Sequence, residues 1–128
     1  MTAEQRRLKR THLIERVRTV EQRQSALAAA DAEAQRARLD AVSAKTRALA
    51  AHYAGATGAT DAQSLRRSGA MSSHLRDLSH TAERHAQEAR SQSEASMAAL
   101  AQTERRRRRA EEDYRDAAAT LRQKLASR

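Results

Sequence analysis

The chain has 128 residues and a formal net charge of +9, and it contains no Pro, Cys, Trp or Phe. Aromatic residues make up 2% and charged residues 32%. Much of the 39% hydrophobic fraction is Ala, which favours helices but buries little area. This composition excludes a conventional globular core, disulfide bridges and a thiolate metal site. We expect neither a membrane span, which needs ~20 apolar residues, nor a signal peptide after the basic segment 1–10.

The chain is rich in Ala, Arg and Glu, which is typical of long helices and coiled coils. Low hydrophobicity combined with high net charge is also typical of disorder. The strong helix formers and the regular spacing of apolar residues favour the helical interpretation.

The first predicted helix covers about residues 4–54 and carries one apolar stripe within about a third of its circumference. The stripe consists of Leu13, Val17, Val20, Leu27, Leu39, Val42, Leu49 and Tyr53. Gly55 is placed to end this helix as a left-handed residue.

The predicted tip covers about residues 55–69 and contains all three glycines, Gly55, Gly58 and Gly69. Thr60 to Gln63 match a capping box, so residues 61–68 are a candidate for a short helical piece. The second helix then covers about residues 70–126. Its apolar stripe consists of Met71, Leu75, Leu78, Ala82, Ala89, Leu100, Ala110, Tyr114, Ala118, Leu121 and Leu125.

The spacings in both stripes alternate between three and four residues, as in a coiled-coil seam. Two such helices joined by a short turn lie antiparallel. The predicted fold is therefore all-α: a single long two-helix antiparallel coiled-coil hairpin over residues 1–128, with Val42 beside Ala82. The middle of this interface is small and polar, so we expect a marginally stable hairpin.

A second regular stripe on the first helix contains only alanine: Ala30, Ala34, Ala37, Ala41, Ala44, Ala48 and Ala51. Two interpretations are open. The stripe is either a close-approach surface for another helix or exposed sequence selected for helix propensity.

The charge is concentrated near the two termini. Residues 1–23 and residues 100–128 each carry +4, and the stretch between them carries +1. The run Arg105 to Arg109 covers all sides of a helix, so Arg107 is expected to point toward the seam. The other arginines either form a solvated basic segment or dock on an acidic surface.

The sequence offers no catalytic arrangement, and we expect neither a cofactor nor a metal. His80 and His85 are five residues apart, so they do not share a helix face as a zinc pair would. His85 is expected in the seam. A two-helix hairpin has no cavity in which burial could tune a side-chain pKa, so the protein is expected not to be an enzyme.

Nucleic acid is a possible ligand class because the sequence pI is about 11.2 and basic patches bind phosphate. However, acidic residues are interleaved throughout, and there is no aromatic stacking platform. A helix on a membrane surface is disfavoured because Trp and Phe are missing from the apolar stripes.

The chain resembles the FliJ family of bacterial flagellar type III export proteins. The resemblance rests on Leu8-Lys9-Arg10 through Leu13-Ile14-Glu15-Arg16-Val17-Arg18, on the Ala-rich run toward Leu49 and Tyr53, and on Met71-x3-Leu75-x2-Leu78 through the arginine-rich close. It covers essentially the whole chain, which is short for the family.

The resemblance implies a cytoplasmic protein, peripheral at the inner membrane, that acts in protein export for flagellum biogenesis and motility. Such proteins resemble the stalk of rotary ATPases. The implied partners are the hexameric export ATPase, the membrane export gate and export chaperones. The free protein is expected to be a monomer.

The resemblance also implies two sets of binding residues. The ATPase-binding candidates are Arg6, Arg7, Arg10, Leu13, Val17, Arg105, Arg106, Arg107, Arg108, Arg109 and Leu121. The gate-binding candidates are Val42, Thr46, Leu49, Tyr53, Met71, Leu75, Leu78 and Ala82. Two alternative functions stay open: a generic coiled-coil scaffold or adaptor, and a basic nucleic-acid-binding protein.

Overall fold

The computed structural model describes residues 1–55 and 61–128, which form two long α-helices packed against each other. Helix α1 runs over Ala3–Ala54 and helix α2 over Ala62–Ala126. The described ranges contain no β-strand. The prediction of an all-α helical hairpin is therefore confirmed.

The chain divides into two units. Unit 1 comprises Met1–Ala30 and Ala95–Arg128, and unit 2 comprises Asp31–Glu94. In unit 1, Glu4 forms an ion pair with Lys124, and the rings of His12 and Tyr114 lie 5.1 Å apart.

In unit 2, Ser93 Oγ donates to Glu33 at 3.0 Å and Ser43 Oγ donates to Glu83 at 2.7 Å. Within each unit, the residue number of the α2 partner decreases as the residue number of the α1 partner increases. The helices therefore run antiparallel in both units.

Helix α2 begins earlier than the predicted start near residue 70, and the predicted tip over residues 55–69 is too long. The reason is an N-cap at Asp61, whose Oδ1 accepts a hydrogen bond from the backbone N–H of Ser64 at 2.6 Å. This bond satisfies one of the free donors of the first turn. Gly69 then lies inside α2, where a Cβ would meet no atom within 4 Å. Thr60, the predicted capping residue, lies outside the described residues, as does Gly58.

Helix α1 ends where Gly55 predicts, but by a different backbone geometry. The N–H of Gly55 bonds the carbonyl oxygen of Ala51 at 3.1 Å. No glycine among the described residues has a positive φ, so the predicted left-handed conformation of Gly55 is wrong. The last turn simply closes with a helical i→i−4 bond.

The interface on α1 follows a heptad repeat whose positions a and d face α2. Positions a and d are Glu4, Leu8, Thr11, Glu15, Arg18, Gln22, Ser25, Ala29, Ala32, Arg36, Leu39, Ser43, Thr46 and Ala50, all buried or half-buried. Of the predicted α1 stripe, only Leu39 belongs to this set. The other seven residues, including Leu13 and Leu27, are exposed, so the prediction chose the wrong face of α1.

The predicted α2 stripe is largely confirmed. Eight of its eleven residues are buried or half-buried, and Ala86 and Ser93 join them in the interface. The exceptions are Met71, Leu78 and Leu125, which are exposed. The sequence predicted that Val42 lies beside Ala82. The observed alignment of the two helices differs from this by less than one helical turn, since Ser43, the neighbour of Val42, donates a hydrogen bond to Glu83.

The interface is built mainly from small side chains. Its buried residues are Ala29, Ser43, Ala50, Leu75, Ala86, Ala89, Ser93, Ala110 and Ala117. Alanine and serine let the helix axes approach closely, and the serine hydroxyls find partners across the interface. A narrow interface of this kind buries little apolar area. The helices therefore pair while several larger apolar side chains stay uncovered.

Candidate protein-binding faces

One flank of the unit 2 interface is closed by charged side chains. Position e of the heptad borders the seam, and in an antiparallel pair the e residues of both helices lie on the same side. Here Glu83 accepts hydrogen bonds from Ser43 at 2.7 Å and Arg47 at 3.1 Å. On the same flank, Arg90 pairs with Asp40 at 2.8 Å. The e flank is thus occupied by interhelical ion pairs.

Two carboxylates on this flank, those of Glu33 and Glu83, are held in their ionised form. The hydrogen bond from Ser43, followed by the charge of Arg90, keeps the pKa of Glu83 below its ordinary value. The guanidinium of Arg36, followed by the hydroxyl of Ser93, lowers the pKa of Glu33 to about 2. At neutral pH Glu33 and Glu83 are therefore ionised, and their hydrogen bonds to Ser93 and Ser43 help to set the register of the two helices.

The opposite flank of unit 2 carries exposed apolar residues. Val42 and Leu49 on α1 and Met71 and Leu78 on α2 occupy position g, immediately before a seam residue. Tyr53 follows Leu49 by one turn, at position d beyond the last seam residue Ala50. These five side chains are 40–49% exposed, and we call them the near-tip face.

The two helices contribute to the same side of unit 2. Both helices are right-handed and run in opposite directions, so the positions that precede seam residues point to one common flank. The Ser43–Glu83 bond sets the register and brings Leu49 level with Leu78. The near-tip face is therefore one apolar surface drawn from both helices.

The structure divides the predicted gate-binding residues into two groups. Val42, Leu49, Tyr53, Met71 and Leu78 form the near-tip face. Leu75 is buried, and Thr46 and Ala82 are half-buried in the seam. These last three residues support the face from beneath.

The predicted ATPase-binding residues all lie in unit 1. That unit contains 16 Lys and Arg against 8 Asp and Glu, which leaves a charge of +8. Arg6, Arg7 and Arg10 are exposed, as are Leu13 and Val17, whereas Leu121 is half-buried.

Only one residue of the run Arg105 to Arg109 lies in the seam. Arg107 occupies a seam position, as predicted, and pairs with Glu104 at 2.7 Å and Glu111 at 3.1 Å. These carboxylates, Glu104 first, raise the pKa of the Arg107 guanidinium. Arg108 shares Glu104 at 3.3 Å. Arg105, Arg106 and Arg109 are exposed and remain available for contact with another molecule.

The sequence interpretation missed two features. The first is the interhelical network of Asp40, Ser43, Glu83 and Arg90. Its only sequence signal is the presence of complementary charges at heptad spacing, which solvated helices share. The second is that apolar residues on α1 point away from α2. Two different sets of heptad positions on α1 could form the interface with α2. The more hydrophobic set is the one that the structure leaves exposed.

The other predictions concern single residues. His85 is exposed and does not lie in the seam, contrary to expectation. The seven residues of the alanine stripe are all exposed.

Over residues 1–55 and 61–128, no group of three His, Cys, Asp or Glu side chains could hold a metal ion. Within the same ranges, neither helix has a stretch apolar enough to cross a bilayer.

Comparisons with family models, with curated proteins and with solved structures found no match to this chain.

Proposed function

We propose that this chain is a non-enzymatic coiled-coil protein that acts by holding a partner protein on its near-tip face. The supporting observation is the asymmetry of unit 2: ion pairs close the e flank, whereas the five apolar side chains of the near-tip face, four of them at position g, are left uncovered. A continuous apolar surface of this kind is typical of protein interaction sites.

In the specific form that the FliJ resemblance implies, the partner of the near-tip face is the membrane export gate. Unit 1, with its charge of +8, then enters the ring of the hexameric export ATPase as a stalk. The positive charge supports this role because it would steer unit 1 toward an acidic cavity. The protein would then work in the cytoplasm, at the inner face of the membrane, and would also meet export chaperones.

An ATPase assay tests the stalk role. The purified chain is added to the flagellar export ATPase encoded in the same genome, and both the hydrolysis rate and the hexamer fraction should rise. Reversal of Arg105, Arg106 and Arg109 to Glu should weaken this effect with little loss of helicity, because Arg107 keeps its seam contacts. No binding and no change in rate would rule the stalk role out.

A binding assay with the cytoplasmic domain of the export gate tests the near-tip face. Leu49→Glu combined with Leu78→Glu should abolish binding, because both side chains are exposed and central to the face. The matched control is Ala48→Glu combined with Ala70→Glu. Both residues are exposed and each directly precedes a residue of the near-tip face in the sequence, but neither belongs to that face. This control should therefore bind normally. Equal binding by both variants would contradict the assignment.

A generic scaffold is the second candidate, because a second copy of the chain could also cover the near-tip face. Light scattering separates the two functions. The stalk requires a monomer of 14.2 kDa, whereas a scaffold that dimerises through this face would have twice that mass. Leu49→Glu combined with Leu78→Glu would then return the scaffold to a monomer.

A further inference from the structure

Unit 1 has a second apolar stripe, on the side of α1 that faces away from α2. Leu13, Val20 and Leu27 occupy three successive f positions, the heptad positions farthest from the partner helix, and Val17 lies between them at position c. These four side chains are 50–68% exposed. At 100° per residue they fall within an 80° sector. We call them the outer stripe.

Outward positions of a two-helix hairpin normally carry polar residues, because they face only water. Helix α2 has no large apolar residue at its f positions in unit 1, which are Ala98, Arg105, Glu112, Ala119 and Ala126. Leu and Val therefore occupy the outward positions of α1 alone. Their spacing of three and four residues matches a coiled-coil seam for a further helix.

The border of the outer stripe is basic along one edge. Lys9, Arg16 and Arg23 recur every seven residues at position b, directly beside the stripe, and all three are exposed. Among the residues that the structure describes, none forms an ion pair with them. An open groove along α1 is lined by Leu13, Val17 and Val20 together with Arg16 and Arg23. Glu15 and Glu21 also line this groove, but Glu21 lies on its other side, away from the basic edge, and Glu15 occupies a seam position.

We infer that the outer stripe binds one amphipathic helix of a partner protein, with Leu-type residues along its centre and Glu or Asp along its edge. Burial of the four apolar side chains supplies the main attraction. The acidic edge pairs with Lys9, Arg16 and Arg23 and selects the partner and its orientation. Unit 1 then becomes a three-helix coiled coil.

Charge argues against a second copy of this chain as the occupant. An antiparallel pair of outer stripes would place the basic edges of both copies against each other. A parallel pair would match Arg16 with Glu21 of the other copy, but it would leave Lys9 opposite Ile14 and Arg23 opposite Ala28. Like charges disfavour the antiparallel arrangement, and the parallel arrangement leaves two of the three basic residues without an acidic partner, whereas a helix with a continuous acidic edge matches all three.

The inference goes beyond the proposed function, because it assigns a partner chemistry to a face distinct from the near-tip face and does not depend on the export role.

The probe that tests the inference is a fluorescent synthetic helix of about three heptads with Leu at a and d and Glu at both edges. A second probe has Lys in place of each Glu. Anisotropy with the full chain should show binding of the Glu probe, at least tenfold tighter than binding of the Lys probe.

Two variants locate the site. Val17→Asp combined with Val20→Asp should weaken binding of the Glu probe at least tenfold, because both side chains are exposed and central to the outer stripe. The matched control, Val42→Asp combined with Leu49→Asp, changes the near-tip face and should leave the affinity unchanged. Circular dichroism of both variants checks that helicity is kept.

A charge swap tests the choice of partner independently of packing. Lys9→Glu, Arg16→Glu and Arg23→Glu together should reverse the preference, so that the Lys probe binds more tightly. Failure of the wild-type chain to bind the Glu probe, or equal binding of both probes, would overturn the inference. Self-association that Val17→Asp and Val20→Asp abolish would overturn it in favour of a second copy. None of these results depends on the ATPase or the gate.

Discussion

The clearest contrast between single residues lies between Leu75 and Leu78, which are three positions apart on α2. Leu75 is 9% exposed and packs in the seam, whereas Leu78 is 44% exposed on the near-tip face. Because both residues are leucines, any difference in their contribution to stability reflects burial and not residue type.

Leu75→Ala should lower the free energy of unfolding by about 2 kcal/mol, the low end for buried leucine, because the interface is narrow. Leu78→Ala should change it by less than about 0.5 kcal/mol, since the side chain gains little from folding. Urea denaturation followed by circular dichroism measures both values. If Leu78→Ala proves the more damaging change, the assigned seam is wrong.

The carboxylates at the unit 2 seam make stability depend on pH. The pKa of Glu33 is about 2 in the folded chain against an ordinary value of 4.5, and that of Glu83 is also lowered. A lowered folded pKa stabilises the fold above the unfolded value, and this contribution is lost as the pH falls through the folded value.

The urea midpoint should therefore be nearly constant from pH 7 to about pH 5 and should fall between about pH 4.5 and pH 2. Ser43→Ala combined with Glu83→Gln should show a lower midpoint at neutral pH and a smaller acid response. Glu88→Gln is the matched control, because Glu88 is an exposed glutamate on the same helix and forms no ion pair with any residue that the structure describes. A midpoint that does not fall in acid would argue against the network.

At the scale of the helix, the start of α2 is determined by Asp61 and not by Gly69. The Asp61 carboxylate accepts the Ser64 N–H, and this bond lowers the pKa of Asp61. A side-chain cap of this kind is sufficient to begin a helix. The glycine that follows eight residues later is then a weak point inside a continuous helix.

Gly69→Ala should raise the free energy of unfolding by about 0.5–1 kcal/mol, because Ala loses less backbone entropy in a helix. A Cβ at residue 69 meets open space, so no clash offsets the gain. Ala70→Gly, at an exposed neighbouring position, should lower stability by a similar amount. Thermal melts compare the two. A lower melting temperature for Gly69→Ala would mean that the residue is not helical in solution.

At the scale of the whole molecule, antiparallel pairing brings segments from the two ends of the sequence together in unit 1. Residues 1–30 pack there with residues 95–128, and Glu4 meets Lys124. Two segments that each carry +4 therefore share one unit. Acidic residues such as Glu104 and Glu111 reduce the repulsion at the seam through their pairs with Arg107.

Spin labels at Arg16→Cys and Asp113→Cys should report a distance close to the interhelical spacing of about 10 Å plus the label linkers. The chain has no cysteine of its own, so only these two exposed positions react. Dilution with unlabelled protein should leave the distance unchanged. If the two segments instead belonged to one uninterrupted helix, the labels would lie roughly 145 Å apart.

The sequence by itself determined the helical class, the end of α1 near Tyr53 and most of the α2 interface. Its Ala, Arg and Glu content allows little else, and the α2 stripe has only one plausible phase. Only the tertiary structure decided which face of α1 packs. The heptad through Leu13 and Val17 is more hydrophobic, but the heptad through Ala29 and Ser43 allows closer approach and places Asp40 and Ser43 opposite Arg90 and Glu83. That choice depends on residues about 40–50 positions apart in the chain, so local periodicity cannot reveal it. It also leaves the near-tip face and the outer stripe uncovered.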